Sequence, residues 1–528
     1  MLRLLALALT ALLLHVGAPS GHAGDPTPRI GGTYRFPLRY SPRTLDPARS
    51  TDYYAVTVIQ QIFDGLVDFD RDLNIIPAIA RSWRVSRDGR VYTFDLRRDV
   101  RFHSGRAVTA DDVVYSLTRL FKPETRSTAG ETFDLIVGAR DVRQGRTETL
   151  RGVRAVTPNR VEVTLEEPYA PFLSLLATNK AKIVPREAVE SKDVPFERAP
   201  VGTGPFRIVR WDEGKAIVLE ANPAHFRGRP YLDRIRYAIM PTATDADIYR
   251  AFRKGDFDES PIPSELRDEA LASGTFPVVR RPTLALQFYG FNLSRPEWRD
   301  PRVRMALLLA FDRAAVVEAG TKGKHRPAAG ILPPGVLGYN PARDVPRVDR
   351  ARAAALLGEA GGPEAVRGFE MWSAVRSEAQ RAEFDGIADA AHALGLAAEP
   401  RFADDWPQFQ RFLTEGRMSL FRYAWFADLP DPDNILGILF HSQSRYNYWH
   451  YSNPQVDALL DEGRRELNPV RRAEIYRRVE AQVLEDVPII PILHIWYEQA
   501  YQPSVRGVEV SALGAPYVPM RKVWLDRP

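Results

Sequence analysis

The first half of the chain alternates apolar and polar residues in the manner of β-strands. Asp88 and Gly89 separate two alternating runs, and this dipeptide favours a hairpin turn because both central positions take positive φ. The pattern predicts a sheet-rich first half with strands at 32–40, 83–96, 161–165, 206–210 and 216–219.

Apolar residues at helical spacing follow several helix-start signals, and from about residue 296 helices become the commoner element. Thr109 and Asp112 predict a capping box at the start of one helix. Asp300-Pro301 predicts the start of another, and further helices are expected from Asp349 and from Asn468-Pro469. The helix after Asp300 is predicted to bury a single stripe, made of Val303, Ala306, Leu307, Ala310, Ala314 and Val317.

Two apolar strand candidates, Leu284–Phe291 and Ile489–Trp496, bracket the helical half. If both cross between two packed units, they form a natural hinge. The predicted organisation is a lobe I of residues 24–284 plus 491–528, with an inserted subdomain at about 71–200, and a lobe II of residues 285–490. A chain of 528 residues is also longer than one ordinary core supports.

The N-terminus has the order of a secretory signal peptide. Arg3 precedes an apolar run from Leu4 to Val16, and small residues end the stretch at Ala23. The apolar run is shorter than the about 18 residues that normally span a bilayer. Residues 1–23 are therefore expected to be cleaved on export, and no lipid anchor is expected because the sequence contains no cysteine. We expect a periplasmic protein.

Charge and motifs narrow the function further. The formal net charge is +5, but basic residues are dispersed among acidic ones, so nucleic acid is not an expected partner. No HExxH, GxSxG or cysteine exists, and we expect no metal, cofactor or catalytic site. Residues 68–74 lack the glycine and glutamate of a calcium loop, and 202–205 lack the Lys-Ser/Thr of a phosphate loop, so both are interpreted as turns.

Several motifs together resemble the peptide/nickel class, family 5, of extracellular solute-binding proteins. They include Thr44-Leu45-Asp46-Pro47, Ile62-Phe63-Asp64-Gly65-Leu66, Val100-Arg101-Phe102-His103-Ser104-Gly105, Gly202-Thr203-Gly204-Pro205-Phe206 and Pro333-Pro334-Gly335. The resemblance implies an α/β fold of the periplasmic-binding-protein-like, class II type. It further implies two lobes with a hinge, an extra N-terminal subdomain, mixed sheets flanked by helices, and no chemical step.

The segment from Trp406 to Asp428 bears on the ligand. In peptide-binding relatives, an aspartate after a Trp-x-Ala-type strand end captures the α-ammonium group, and Asp428 matches that position. Arg422 resembles the arginine that meets a peptide carboxylate, and Trp406 resembles a pocket-lining tryptophan. The other candidate ligand-binding residues are Trp425, Tyr423, Ala424 and Phe426, the last two through backbone pairing, and Tyr40 as a lining residue.

Structural alternatives stand beside these assignments. Asp428 could cap the turn at 429–432, Arg422 could pair with a structural carboxylate, and Trp406 could be simple core. The predicted function is peptide delivery to the permease subunits of an ABC importer by a monomeric receptor, with ligands longer than a dipeptide because of Arg422. Other ligands of the same family are a sugar oligomer, nickel chelate, opine, glutathione or haem. The rival classes are a secreted hydrolase and a periplasmic chaperone-like module.

Overall fold

A computed structural model describes residues 27–130, 132–366 and 368–527. The predicted signal peptide, 1–23, lies outside the described residues. Within the described ranges no helix is long and apolar enough to cross a membrane.

The strands are distributed along the whole chain. Their bounds are β1 Thr33–Leu38, β2 Val67–Phe69, β3 Ile75–Pro77, β4 Ala80–Val85, β5 Val91–Leu96, β6 Val153–Thr157, β7 Arg160–Thr164, β8 Phe206–Asp212, β9 Ala216–Ala221, β10 Arg234–Ile239, β11 Glu259–Pro261, β12 Val278–Phe291, β13 Arg326–Pro327, β14 Gly368–Ser373, β15 Ala397–Phe402, β16 Leu420–Phe426, β17 Ile489–Tyr501, β18 Val505–Arg506 and β19 Trp524–Leu525.

The longer helices concentrate in the second half, as the sequence predicts. The α-helices are α1 Tyr53–Ile62, α2 Ala110–Thr118, α3 Ala139–Arg143, α4 Phe172–Ala177, α5 Arg186–Val189, α6 Asp245–Arg253, α7 Arg267–Ser273, α8 Pro301–Ala310, α9 Arg313–Thr321, α10 Arg350–Glu359, α11 Glu378–Ala393, α12 Trp406–Thr414, α13 Leu436–Phe440, α14 Pro454–Arg465 and α15 Pro469–Asp486.

Three sheets organise the molecule. A four-stranded sheet has the order β1-β10-β9-β8, with β1 parallel to β10 and the other pairs antiparallel. A second four-stranded sheet, β4-β5-β7-β6, is antiparallel throughout. The third has seven strands in the order β11-β17-β12-β16-β14-β15, with β13 paired to β17. Its central members, β12 and β17, run antiparallel from Val278 opposite Ala500 to Gly290 opposite Ile489.

The long strands β12 and β17 each enter more than one hydrophobic core. On β17, Ile490 packs into the core beneath α8, α10 and α11, whereas Tyr501 packs with α1 and the sheet that contains β1. On β12, Tyr289 belongs to the first of these cores and Val279 packs against the second. The two predicted strands are confirmed and are longer than expected. The lobe boundaries proposed from them stay a prediction.

Most predicted element boundaries are confirmed where a capping side chain is present. Asp112 accepts the Thr109 N–H at 2.8 Å at the start of α2. Asp300 accepts the Arg302 N–H at 2.9 Å ahead of α8. The predicted hairpin of β4 and β5 is confirmed, but its turn is not the expected two-residue turn: five residues separate the strands, and of Asp88 and Gly89 only Gly89 takes positive φ, at 71°.

One predicted helix is wrong. The stripe expected to run from Val303 to Val317 is divided into α8 and α9 by Phe311. Phe311 has an extended backbone and is almost fully buried, while Asp312 accepts the Ala315 N–H at 3.0 Å and so starts a new helix. Ala314 is exposed rather than buried, because the break rotates the second helix.

The acidic segment 68–74 and the glycine-rich segment 202–205 form turns, as expected. Asp70 lies between β2 and β3 and accepts the N–H groups of Asp72 at 2.9 Å and Asn74 at 2.8 Å. Gly202 precedes β8 and packs so tightly that an added Cβ would lie 2.1 Å from the Ile62 carbonyl oxygen. Within the described ranges, no group of three His, Cys, Asp or Glu side chains is placed to hold a metal.

Gly202→Ala is expected to lower the free energy of unfolding by about 3 kcal/mol, because the new methyl group clashes with backbone that cannot move aside cheaply. Gly358→Ala is the control: it lies in α10 with open space around it and should raise stability by up to about 1 kcal/mol. Urea unfolding of both variants measures the difference, and equal stabilities would contradict the tight packing at Gly202.

Candidate functional site

The strand β16 has an edge that is only partly covered. It pairs with β12 along its whole length, from Phe426 opposite Ala285 to Leu420 opposite Phe291. On its other side β14 pairs only with Leu420 and Phe421. Among the described strands none covers the rest of that edge.

Hydrogen bonding to β12 shows which residues face the open edge. The Ala427 N–H donates to the Leu284 carbonyl at 2.8 Å, so Ala427 points toward β12. Because main-chain groups alternate in direction along an antiparallel strand, those of Ala424 and Phe426 point away from β12. These are the two residues predicted to offer backbone groups for strand-like pairing.

Asp428 follows this edge directly. Its N–H donates to Asn434 Oδ1 at 2.8 Å, which holds the backbone, while its carboxylate has no hydrogen-bond or ion-pair partner among the described residues. The side chain reaches solvent, yet surrounding protein desolvates it and raises the pKa of the carboxyl, an effect that Lys180 partly opposes.

The alternative role for Asp428, as a cap of the turn at 429–432, is filled by another residue. Asp431 accepts the Asp433 N–H at 2.9 Å and forms two hydrogen bonds with Arg472, at 2.6 and 2.8 Å. The Asp428 carboxylate therefore has no structural task in this turn.

Lys180, on the short turn after α4, is near enough to Asp428 for their charges to interact. Its ammonium donates to the Ser50 carbonyl and, at 2.5 Å, to Thr128 Oγ1. Burial lowers the pKa of Lys180 to about 8, while the charge of Asp428 acts to raise it.

Aromatic rings form a connected wall on one face of β16. We call Trp406, Tyr423, Tyr448, Tyr446 and Trp425 the aromatic wall. The ring centroids lie 6.4 Å apart for Trp406–Tyr423, 6.0 Å for Tyr423–Tyr448, 6.3 Å for Tyr446–Tyr448 and 5.4 Å for Trp425–Tyr446. Trp406 is 50% exposed, so it is not simple core.

Arg422 is engaged inside the protein. Its Nε lies 3.4 Å from Glu383 Oε2 and its guanidinium also donates to Gln287. Glu383 in turn accepts from Gln287 Nε2 at 2.7 Å and from the Tyr289 hydroxyl at 2.9 Å. This network compensates the charge of Arg422 on the face of β16 opposite the aromatic wall, which favours its structural alternative.

Exposed aromatic residues also occur near the start of the chain. Tyr40 is 59% exposed, and its ring lies 5.6 Å from that of Tyr54, which contacts Tyr53 at 5.7 Å. The Tyr53 side chain bonds with the backbone of Ala515. The Ala512 carbonyl accepts the Leu284 N–H at 3.0 Å, beside the end of β16. The structure thus connects Tyr40 with the Asp428 region only through intermediate residues.

Polar contacts join the segment 167–170 to the end of α14, which carries Arg464 and Arg465. The Ala170 N–H donates to the Arg464 carbonyl at 3.0 Å, and Glu167 Oε2 pairs with Arg465 Nε at 2.9 Å.

Tyr517 is also near Asp428, since the aspartate charge adds to the burial that raises the pKa of this tyrosine. Tyr517 also lines a charged pocket of about 100 Å³ that contains Asp64 and His225.

Lys180, Tyr53 and Tyr517 were not predicted from the sequence. Lys180 follows the apolar run of α4, and a charge beside a buried segment is the available signal for it. Its proximity to Asp428 involves residues almost 250 positions apart, which no local pattern reveals.

Comparisons with known proteins find matches along most of the chain. The model of the bacterial extracellular solute-binding proteins, family 5 middle region, matches residues 74–447. The chain is 30% identical to heme-binding protein A of Haemophilus influenzae, over 91% of this chain and 90% of that protein. It is 29% identical to a probable di/tripeptide-binding protein 5 of Pseudomonas aeruginosa, over 86% and 88%.

A solved structure shows the same fold. The ABC transporter-associated periplasmic binding protein DppA from Helicobacter pylori, in complex with the peptide STSA, superimposes with a TM-score of 0.78 at 23% identity. The match covers 94% of this chain and 99% of that one. The relatives are solute-binding proteins and not enzymes, and the expected periplasmic-binding-protein fold is confirmed.

Arg422→Met is expected to destabilise the fold by about 3 kcal/mol, because it leaves Glu383 buried without its cation. The double variant Arg422→Met/Glu383→Gln should recover much of that loss. Urea unfolding of both variants measures it. If the single variant is as stable as the unaltered chain, the Arg422–Glu383 pair is not structural.

Proposed function

Because the chain belongs to the bacterial extracellular solute-binding proteins of family 5, we propose that it binds short peptides in extended form and delivers them to the permease subunits of an ABC importer. One observation carries the choice of peptide. The open edge of β16 ends at Asp428, whose carboxylate has no hydrogen-bond or ion-pair partner among the described residues.

The open edge supplies recognition of the peptide backbone. An extended peptide beside β16 can exchange hydrogen bonds with the main-chain groups of Ala424 and Phe426. Such pairing depends little on the ligand's side chains, so it suits a receptor for peptides of many sequences. Phe426 is 62% exposed, and its side chain is available for contact with the ligand.

Asp428 sets the direction in which the peptide lies along β16. Desolvation raises the pKa of its carboxyl, which means that its ionised form lacks full compensation in the free protein. A peptide's α-ammonium group would provide that compensation through charge-assisted hydrogen bonds. The direction of the peptide along β16 is thereby fixed, with its amino end at Asp428.

The aromatic wall supplies apolar contact for ligand side chains. Trp406 is the most accessible of its rings and stacks with Phe409 at 5.5 Å, which holds it in place. The expectation of ligands longer than a dipeptide rested on Arg422. Because Glu383 already compensates that guanidinium, we retain no length preference.

Closure between two lobes is the proposed mode of capture, with the lobes divided as in the sequence analysis. The crossing of β12 and β17 between separate cores supports a hinge there. Contacts across the site, such as Glu167–Arg465, are polar and partly exposed, so they can break on opening at little cost. We further propose that the protein acts in the periplasm as a monomer.

A second candidate ligand is a flat apolar molecule such as haem. The aromatic wall favours it, and the relative from Haemophilus influenzae is named a heme-binding protein. An unpaired carboxylate at Asp428 argues against it, because the propionate groups of haem carry the same charge.

The experiment is calorimetric titration of the chain with trialanine and with haem. Asp428→Asn should weaken trialanine binding by about 2 kcal/mol or more, since the peptide's buried ammonium loses its counter-ion. Asp389→Asn, an exposed position on α11, is the matched control and should bind as the unaltered chain does.

Two outcomes would reject the peptide proposal. One is unchanged trialanine affinity in Asp428→Asn. The other is tight binding of haem with no binding of trialanine, which would transfer the assignment to the second candidate.

A further inference from the structure

Asp428 and Lys180 carry opposite charges at neighbouring places in the fold but form no ion pair: Leu429 and Ala181, which follow them in the chain, belong to the same hydrophobic core. Each influences the other electrostatically, yet neither has a charged contact partner among the residues described. Lys180 instead donates to two neutral oxygens, the Ser50 carbonyl and Thr128 Oγ1. These bonds hold the ammonium in place, and it forms no ion pair with Asp428.

The other acidic groups near Lys180 are already occupied. Asp46 forms a bidentate pair with Arg119, at 2.9 and 2.7 Å. Asp52 caps α1 by accepting the Ala55 N–H at 2.7 Å. Together with Asp428 they are the charges that raise the pKa of Lys180 against the effect of its burial. Of the three, only Asp428 lacks a contact partner in the described part of the chain.

This arrangement treats two kinds of peptide differently. A peptide whose amino end carries only an ammonium group interacts favourably with Asp428 but is repelled by the positive charge of Lys180. A peptide whose first residue also carries a carboxylate can satisfy both side chains at once. Like charges that remain unpaired in a closed site are unfavourable, and opposite charges become more favourable as water leaves.

We propose that Lys180 is a specificity-determining residue that selects peptides whose first residue bears a free carboxylate beside its α-ammonium group. The inference rests on the proposed function, because it takes the peptide's amino end to lie at Asp428. Two ligand classes share this chemistry. One is an ordinary peptide that begins with aspartate or glutamate, and the other is a peptide joined through the γ-carboxyl of glutamate, which leaves the α-carboxylate free.

The selection depends on pH in a defined direction. Burial lowers the pKa of Lys180 to about 8 in the free protein. Its ammonium group is therefore charged at neutral pH and loses its proton as pH rises through that value. A bound carboxylate favours the charged form of Lys180. The affinity for peptides whose first residue bears a free carboxylate should therefore fall from pH 7 to pH 9. Trialanine gains nothing from charged Lys180, but its own α-ammonium group has a pKa of about 8 and loses its proton over the same range, so its affinity should fall as well and that of the acidic peptides should fall further.

The test is calorimetric titration with three ligands: trialanine, Glu-Ala-Ala and the γ-linked isomer of Glu-Ala-Ala. In the unaltered chain at pH 7, at least one acidic peptide should bind about tenfold more tightly than trialanine, the usual scale for one charge-assisted contact. Lys180→Met should remove that advantage. Lys192→Met, an exposed lysine on a nearby loop, is the control and should keep it.

The outcomes separate the two proposals. A preference that survives in Lys180→Met, or an acidic peptide that binds no better than trialanine to the unaltered chain, overturns the role of Lys180 alone. Failure of all three peptides to bind overturns the peptide function and this inference with it. The ratio of the α- and γ-linked affinities tells which ligand class is preferred. If Lys180→Met does not fold, the pH dependence of the unaltered chain decides the question.

Discussion

The antiparallel pairing of β12 with β17 is the constraint on which the site depends. The two strands are far apart in sequence, and each packs into separate hydrophobic cores along its length. β12 also pairs on its other side with β16. The end of β16, and with it Asp428, therefore takes its position from a strand that is itself held by β17. Any shift in that pairing would move the candidate anchor.

Charge compensation distinguishes the structural residues from the candidate binding residues. Arg422 and Glu383 satisfy each other within a network that includes Gln287 and Tyr289. Asp428 lies only a few residues further along the chain, but its carboxylate has no contact partner within the described ranges, and its environment disfavours the ionised form. An uncompensated charge is unfavourable in the free protein, and the favourable interaction becomes available only when a ligand supplies the opposite charge. This contrast is the physical basis for assigning one residue to the fold and the other to the ligand.

Local sequence signals predicted much of the fold. Side-chain caps at Thr109, Asp300 and Asn468 located helix starts, since such caps act within one turn of the chain. The continuous stripe through Phe311 was misinterpreted because apolar spacing alone does not show where a core residue needs an extended backbone. The strand at 420–426 was also predictable from its apolar pattern, although only Leu420 and Phe421 are fully buried in it. The partners of its charged neighbours were not, because Arg422 meets a helix and Asp428 faces Lys180 only through tertiary folding.

A crystal structure of the chain with bound trialanine would test the account most directly. We predict that the peptide lies extended along the open edge of β16, with its main chain bonded to Ala424 and Phe426. Its ammonium group should lie within hydrogen-bond distance of the Asp428 carboxylate. A peptide bound elsewhere, or one whose carboxyl end lies at Asp428, would contradict the account.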